Sequence, residues 1–246
     1  MSKKIQIAWL GALFLILSVG IVDADTISAE SGDIEITPIM HGSVMLEHDG
    51  MVFYVDPYGK GDYTNAPKAD VILVTDIHGD HLDSEMIDHL RKDSTVLVIP
   101  AAAFGKAKAK IVMEIENGES QKINDVVIEA VPMYNHERGP EPGKLYHDKG
   151  RGNGYILTLG GKRIYFSGDT ACTAEMKALK DIDIAFVTMN LPYTMPPEEA
   201  AECVRAFKPN IIYPYHYGDS DLTVFSAALE DLPEIEIRLR EWYPEE

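Results

Sequence analysis

Cysteine is nearly absent from this chain, with only Cys172 and Cys203 among 246 residues. Neither stands in a C-x-x-C spacing, which excludes a thiolate metal site or a dithiol redox pair. The two could bridge in an oxidising compartment. However, Cys172 lies beside a candidate ligand and Cys203 in an expected helix, and these settings favour two free, partly buried thiols. Positive charge is also short: 22 lysines and arginines face 40 aspartates and glutamates, for a formal net charge of −18. Such a surface repels phosphate backbones, so no nucleic-acid partner is expected. After Val22 no stretch is apolar enough to span a bilayer.

The first residues are different. Lys3 and Lys4 precede an uncharged apolar stretch, Ile5 to Val22, followed by Asp23-Ala24. Basic start, apolar centre and small residue describe a secretory signal peptide over residues 1–24, with an uncleaved anchor as the alternative. No cysteine stands near the cut to carry a lipid. The remainder is therefore expected to be exported, periplasmic or extracellular, meeting a membrane only if the N-terminal segment stays uncleaved.

A polar linker, Thr26 to Gly32, leads into residues 33–246, which contain no second linker and fit one large α/β domain. Strands are expected at Asp33–Pro38, Ser43–His48 and Met51–Asp56, the last two joined by the hairpin signal Asp49-Gly50. The apolar run Val71–Thr75 reads as a buried strand, and Asp83 caps a helix reaching about Lys92. Strands follow at Thr95–Ile99, Ile111–Ile115 and Val126–Val131, the last two separated by the turn Asn117-Gly118. After a long irregular loop, Met133 to Asn153, a second hairpin, Gly154–Leu159 and Arg163–Ser167, repeats the opening of the first half. Helices Thr173–Leu179, Pro197–Phe207 and Asp221–Leu229 then alternate with strands Ile184–Met189, Asn210–Tyr215 and Glu234–Arg238. Two such halves suggest sheets packed face to face with helices outside.

Chemistry concentrates in Asp76-Ile77-His78-Gly79-Asp80-His81, directly after the Val71–Thr75 strand. Imidazoles and carboxylates aimed from one turn suit a divalent metal such as zinc. Asp169 and His216 share that setting at the ends of apolar strands, and the long loop adds His136 and His147. A rigid sheet holds such loops at fixed spacing. His48, beside the hairpin turn, and His89, on a helix edge, read as solvated bystanders.

The run T-D-I-H-G-D-H resembles the T-H-x-H-x-D-H motif of the metallo-β-lactamase superfamily. Y-F-S-G-D-T is similar to its second aspartate motif, and Y-P-Y-H-Y-G to its final histidine motif. Met40-His41-Gly42-Ser43 through Val55-Asp56-Pro57 resembles the H-x-S…D-P opening of the subgroup related to ascorbate-6-phosphate lactonase. The resemblance covers nearly all of residues 33–246 and implies an α/β fold, a four-layer αβ/βα sandwich with a metal cleft at the strand ends. It implies that Asp76, His78 and His147 hold one divalent ion and Asp80, His81 and His216 a second, with Asp169 bridging. His147 is preferred over His136 because Tyr134-Asn135 and His147-Asp148-Lys149-Gly150 resemble a Y-N…H-x-K-G arrangement of one branch. Asp76 stands where the family usually has histidine. One more oxygen ligand would tilt the site from zinc toward manganese or iron, or leave a single ion.

On this reading Asp80 and Asp169 are catalytic, positioning a water that attacks an ester, lactone, amide or phosphodiester of a small molecule. His41 and Tyr193 are candidates for touching substrate, and Asp56 for orienting a ligand histidine. Tyr215 and Tyr217 also flank strand ends, where a hydroxyl could donate to an oxyanion. Alternatives are an exported metal-binding protein with a decayed site and, further off, a diiron redox protein.

Overall fold

A computed structural model of the chain describes residues 24–243. The segment read as a signal peptide or anchor lies outside these residues, apart from Ala24. Among the described residues no helix is long and apolar enough to cross a membrane.

Among the described residues fourteen strands form two sheets of seven. The first holds β1 (Asp25–Ile27), β2 (Ile34–Met40), β3 (Ser43–His48), β4 (Met51–Val55), β5 (Ala69–Leu73), β6 (Arg91–Ile99) and β7 (Ile111–Glu114), neighbours in chain order. The second holds β8 (Ser120–Ile123), β9 (Val126–Met133), β10 (Gly152–Leu159), β11 (Lys162–Phe166), β12 (Ile184–Thr188), β13 (Ile211–Tyr215) and β14 (Glu236–Ile237), again in order. In each sheet the first three pairings are antiparallel and the last three parallel. The repeat suspected from the two hairpins is thus a repeat of whole sheets.

Alternation along the strands builds the layers, because successive side chains leave opposite faces. Phe53, Val55, Val71 and Leu73 point into the space between the sheets, where they meet Leu157, Phe166, Phe186 and Tyr215. Their neighbours Tyr54, Ile72 and Val74 face outward, packing with Ile87 and Leu90 of α1 (Ser84–Leu90). On the second sheet, Tyr165, Ala185 and Ile212 face outward toward α2 (Ala174–Lys177), α3 (Pro197–Phe207) and α4 (Leu222–Ala228). Strands buried on both faces read as unbroken apolar runs, and here they produce the expected αβ/βα sandwich. Asp83 and Thr173 cap α1 and α2 through side-chain oxygens that accept from backbone N–H groups, and Pro197 opens α3.

The structure corrects three expectations. Cys172 and Cys203 form a disulfide, with Cα atoms 5.6 Å apart, rather than two free thiols. The loop after β11 runs beneath α3 and brings Cys172 against the buried face of that helix. The start of the polar linker, Thr26 and Ile27, belongs to β1, which pairs with β2. The turn Asn117-Gly118 carries the chain from β7 at the edge of one sheet to β8 at the edge of the other. His48 is buried, because Ser31 Oγ lies 2.9 Å from its Nε2 and its Nδ1 donates to the Asp33 carbonyl.

Phe186 is fully buried, with its ring stacked between Phe166 at 4.6 Å and Tyr213 at 4.7 Å. Phe186→Ala should cost about 3–5 kcal/mol of unfolding free energy in urea denaturation. Reducing the disulfide, or replacing both cysteines by serine, should cost about 3 kcal/mol by loss of the cross-link. Equal urea midpoints for oxidised and reduced protein would contradict the bridge.

Candidate metal centre

The site lies where the parallel strands of both sheets end. Asp76, His78, Asp80 and His81 occupy the loop between β5 and α1, Asp169 follows β11, and His216 follows β13. His147 comes from the long loop between β9 and β10, and His41 from the tight β2–β3 turn. Asp56 follows β4. Open α/β sheets place ligands at such carboxyl ends.

Hydrogen bonds join the two sheets at this edge. Asn153 N donates to the Thr75 carbonyl at 2.9 Å, and Tyr155 Oη donates to the Val74 carbonyl at 3.0 Å. Gly168 has φ +58°, and a Cβ there would sit 2.5 Å from Met133 Sδ and 3.0 Å from Thr75 Cβ. Glycine alone lets the chain turn there and bring Asp169 down between the sheets. His41, Asp56 and His216 also have left-handed backbones, with φ 58°, 45° and 47°. His216 N donates to the His41 carbonyl at 3.0 Å, which ties two of these turns together.

Three buried imidazoles converge on the Asp169 carboxylate. His81 Nε2 and His147 Nε2 lie 3.4 and 3.3 Å from its Oδ2, and His216 Nε2 lies 3.4 Å from its Oδ1. All three Nε2 atoms, and Asp169 Oδ1, are enclosed without a hydrogen-bond partner. For two rings the protonation is set from behind. Asp56 Oδ2 accepts from His81 Nδ1 at 2.8 Å, while the same carboxylate accepts from Thr75 N and Oγ1. Asn135 Oδ1 accepts from His147 Nδ1 at 2.7 Å and from His147 N at 3.0 Å, and its Nδ2 donates to the Tyr193 carbonyl. A proton held on Nδ1 leaves Nε2 with a lone pair aimed at the cluster.

The carboxylates divide by exposure. Asp76 and Asp169 are enclosed, whereas Asp80 has a side chain 33% exposed. Burial works against ionising Asp80, but the facing imidazoles of His216, 3.6 Å from its Oδ2, and His41, at 3.1 Å, outweigh it and hold the group well below the usual carboxylate range. At Asp169 burial is likewise outweighed, by the imidazoles of His216, His81 and His147 gathered around it. At Asp76 the His78 hydrogen bond and nearby His81, Arg151 and His147 overcome burial and hold the carboxyl at about 2. All three are anions at neutral pH. For Asp56, burial wins over His81 and Thr75 and pushes its carboxyl upward.

Asp76, His78 and His147 offer ligand atoms within 4.8 Å of one another, as do His81, Asp169 and His216. A third such group is His41, Asp80 and His216. Tetrahedral ligands about 2.0–2.1 Å from zinc lie roughly 3.4 Å apart, close to the spacing of the imidazoles around Asp169. Orphaned buried lone pairs of two ligand types, converging at that spacing, fit a divalent ion. His136 stays outside the cluster: it is exposed, and its Nε2 lies 3.4 Å from the Cys172 carbonyl.

The other aromatic candidates separate. Tyr193 is exposed on the rim, edge-on to Tyr146. Tyr215 Oη is buried, accepting from Gly168 N, and Tyr217 Oη points to the Arg240 carbonyl. Neither is free to meet substrate. Beside Asp80 opens a cavity of about 610 Å³ lined by Met40, His41, Tyr58, Lys60 and Tyr243. His41 bridges cavity and centre, with Nε2 3.1 Å from Asp80 Oδ2 and Nδ1 2.8 Å from Tyr243 Oη. The sequence reading missed Tyr243 and Arg151, and it named Asn135 only within the arrangement that singled out His147. Arg151 grips Asp76 through Nε to Oδ1 at 3.1 Å and Nη2 to Oδ2 at 3.0 Å. A clue existed in the extra negative charge of Asp76, which calls for a cation nearby.

Residues 35–216 match the family described as the beta-lactamase superfamily domain. A UPF0173 metal-dependent hydrolase of Enterococcus faecalis is 30% identical over 196 residues, covering 73% of this chain and 85% of that protein. A crystal structure from Parabacteroides distasonis, described as a proposed metal-dependent hydrolase, is 44% identical with a TM-score of 0.83. The match covers 91% of this chain and all of that one. A metallo hydrolase of Ignicoccus hospitalis, 21% identical over 86% of this chain and 96% of its own, shares the fold at a TM-score of 0.71. The chain thus belongs to the metallo-β-lactamase-fold superfamily and, within it, to the UPF0173 metal-dependent hydrolase family.

Proposed function

We propose that the protein hydrolyses a small ester, lactone, amide or phosphodiester with two divalent ions, zinc or else manganese or iron. The observation that carries this is the convergence of His81, His147 and His216 Nε2, buried and unpartnered, on Asp169. Asp76, His78 and His147 would hold one ion and Asp80, His81 and His216 the other, with Asp169 between them. Bound there, the ions would supply Lewis-acid polarisation of the substrate and acidify a water molecule.

The chain's own residues do the rest. Asp56 and Asn135 keep protons on the Nδ1 atoms of His81 and His147, fixing ring orientation. Asp80, ionised and open to the cavity, would hold its ion and accept a hydrogen bond from the attacking water, orienting it. His41 holds Asp80 Oδ2 in that pose, and Tyr243 steadies His41 from behind. Substrate would enter through the cavity lined by Tyr58 and Lys60, and exposed Tyr193, whose carbonyl accepts from Asn135 behind His147, is a further candidate contact. The H-x-S…D-P opening places His41, Ser43 and Asp56 around this edge and supports kinship with the lactonase-related subgroup. The Cys172–Cys203 bridge supports export to an oxidising compartment, periplasmic or extracellular.

The test is a screen of chromogenic phosphodiesters, lactones and β-lactams with zinc, manganese and iron added separately, alongside elemental analysis. One substrate class should turn over with metal. His81→Ala and Asp169→Ala should each lower kcat/KM by at least about 100-fold and lose bound metal. Full activity in both variants would overturn the assignment. A protein that holds one ion or none and turns over nothing would instead be the metal-binding protein with a decayed site.

A further inference from the structure

Asp76 is an aspartate where a neutral histidine is usual, and it is not alone. Its carboxylate is enclosed, and Arg151, reaching from the long loop, binds both oxygens in a fork. This geometry is the strong bidentate form of a guanidinium–carboxylate pair. The backbone beside Arg151 is fitted to it: a Cβ on Gly152 would lie 2.6 Å from the Thr75 carbonyl and 3.3 Å from Asp76 Oδ1. Glycine therefore lets the chain pass close enough for Arg151 to reach Asp76.

The fork does not exhaust the carboxylate. Of about four lone-pair positions it takes two, and His78 N, 3.4 Å from Oδ2, approaches a third. Asp76 Oδ2 remains 2.7 Å from His78 Nδ1 and 3.8 Å from His147 Nε2, with the arginine in place. His147 Nε2 is the buried, unpartnered atom on this side, its lone pair imposed by Asn135. A carboxylate alone would add a full negative charge beside Asp80 and Asp169. The paired guanidinium cancels it.

We propose that Asp76 and Arg151 act together as one neutral ligand, standing in for a histidine and keeping the first half of the centre able to take a divalent ion. This rests on the two-ion reading above. Arg151 is a positioning residue: it meets no substrate and acts through Asp76. The electrostatic balance predicts that either half changed alone disturbs the centre, and that changing both restores it. Asp76→His leaves the Arg151 charge uncompensated next to a divalent cation. Arg151→Met leaves a buried carboxylate unpaired when metal is absent.

The test is a double-mutant cycle read by ion stoichiometry and by the melting temperature of the metal-free protein. Unaltered protein, dialysed against zinc, should hold two ions. Asp76→His should weaken the first ion by about 100-fold and hold one. Asp76→His with Arg151→Met should hold two again. Arg151→Met alone should lower the metal-free melting temperature, and added zinc should restore it. Arg151→Lys, which keeps the charge without the fork, should keep two ions. Two tightly held ions in Asp76→His, or no recovery in the folded double variant, would overturn the proposal. An unaltered protein that binds one ion yet hydrolyses would overturn it while leaving the hydrolase reading standing. Absence of both metal and turnover would defeat the hydrolase reading itself.

Discussion

The structure turns on one enclosed carboxylate. Asp169 descends from the second sheet and is met by His81 from the first, by His147 from the loop between β9 and β10, and by His216 from the end of β13. Burying an ionised carboxylate is costly unless charge or hydrogen bonds answer it. No N–H is donated to Asp169 Oδ1, and the three imidazoles around it present unpartnered Nε2 atoms. Electron-rich atoms of one kind are thus crowded together from both halves of the fold. The crowding persists because packing over-determines it: the Asn153–Thr75 and Tyr155–Val74 bonds fix the sheets, and Gly168 has no room to shift. A cation at this point offsets every one of those costs, and for that reason the cluster reads as a binding site and not as a structural polar core.

Sequence and structure agree where the physics is local. Strands buried on both faces appear as apolar runs with β-branched residues, and Val71–Thr75, Ile184–Met189 and Asn210–Tyr215 were legible for that reason. α3 begins at Pro197 and ends at Phe207, as expected from a proline-led helix. β8, with the sequence Ser-Gln-Lys-Ile, was not legible. It is an exposed edge strand paired only with β9, so no apolar pattern marks it. The disulfide was hidden for a different reason. Its cysteines stand 31 residues apart, one in a loop and one in a helix, and only the packing of α3 over that loop brings them together.

The site shows the same division more sharply. Every candidate ligand in the sheets stands just past an apolar run, so position along the chain announces it. What holds those ligands acts through space. Asn135 stands twelve residues before His147, Arg151 reaches back to Asp76, and Tyr243 at the far end of the chain steadies His41. Nothing in local composition marks these three. Asp56 and Asn135 are readable only through the shared D-P opening and Y-N…H-x-K-G arrangement.

Exposure gives the centre a direction. His81, His147, His216, Asp76 and Asp169 are enclosed, while Asp80 is one-third exposed and His78 nearly half. Both open residues belong to the single loop between β5 and α1, and the cavity begins at Asp80 and Gly79. The enclosed groups are backed by fixed partners and cannot rearrange without breaking the join between sheets. The open pair faces solvent. The geometry therefore separates an enclosed floor, which sets where charge can be held, from one open edge where a substrate can approach. That edge is bordered by His41, Tyr58, Lys60 and Tyr243, and those side chains define the chemistry any substrate meets first.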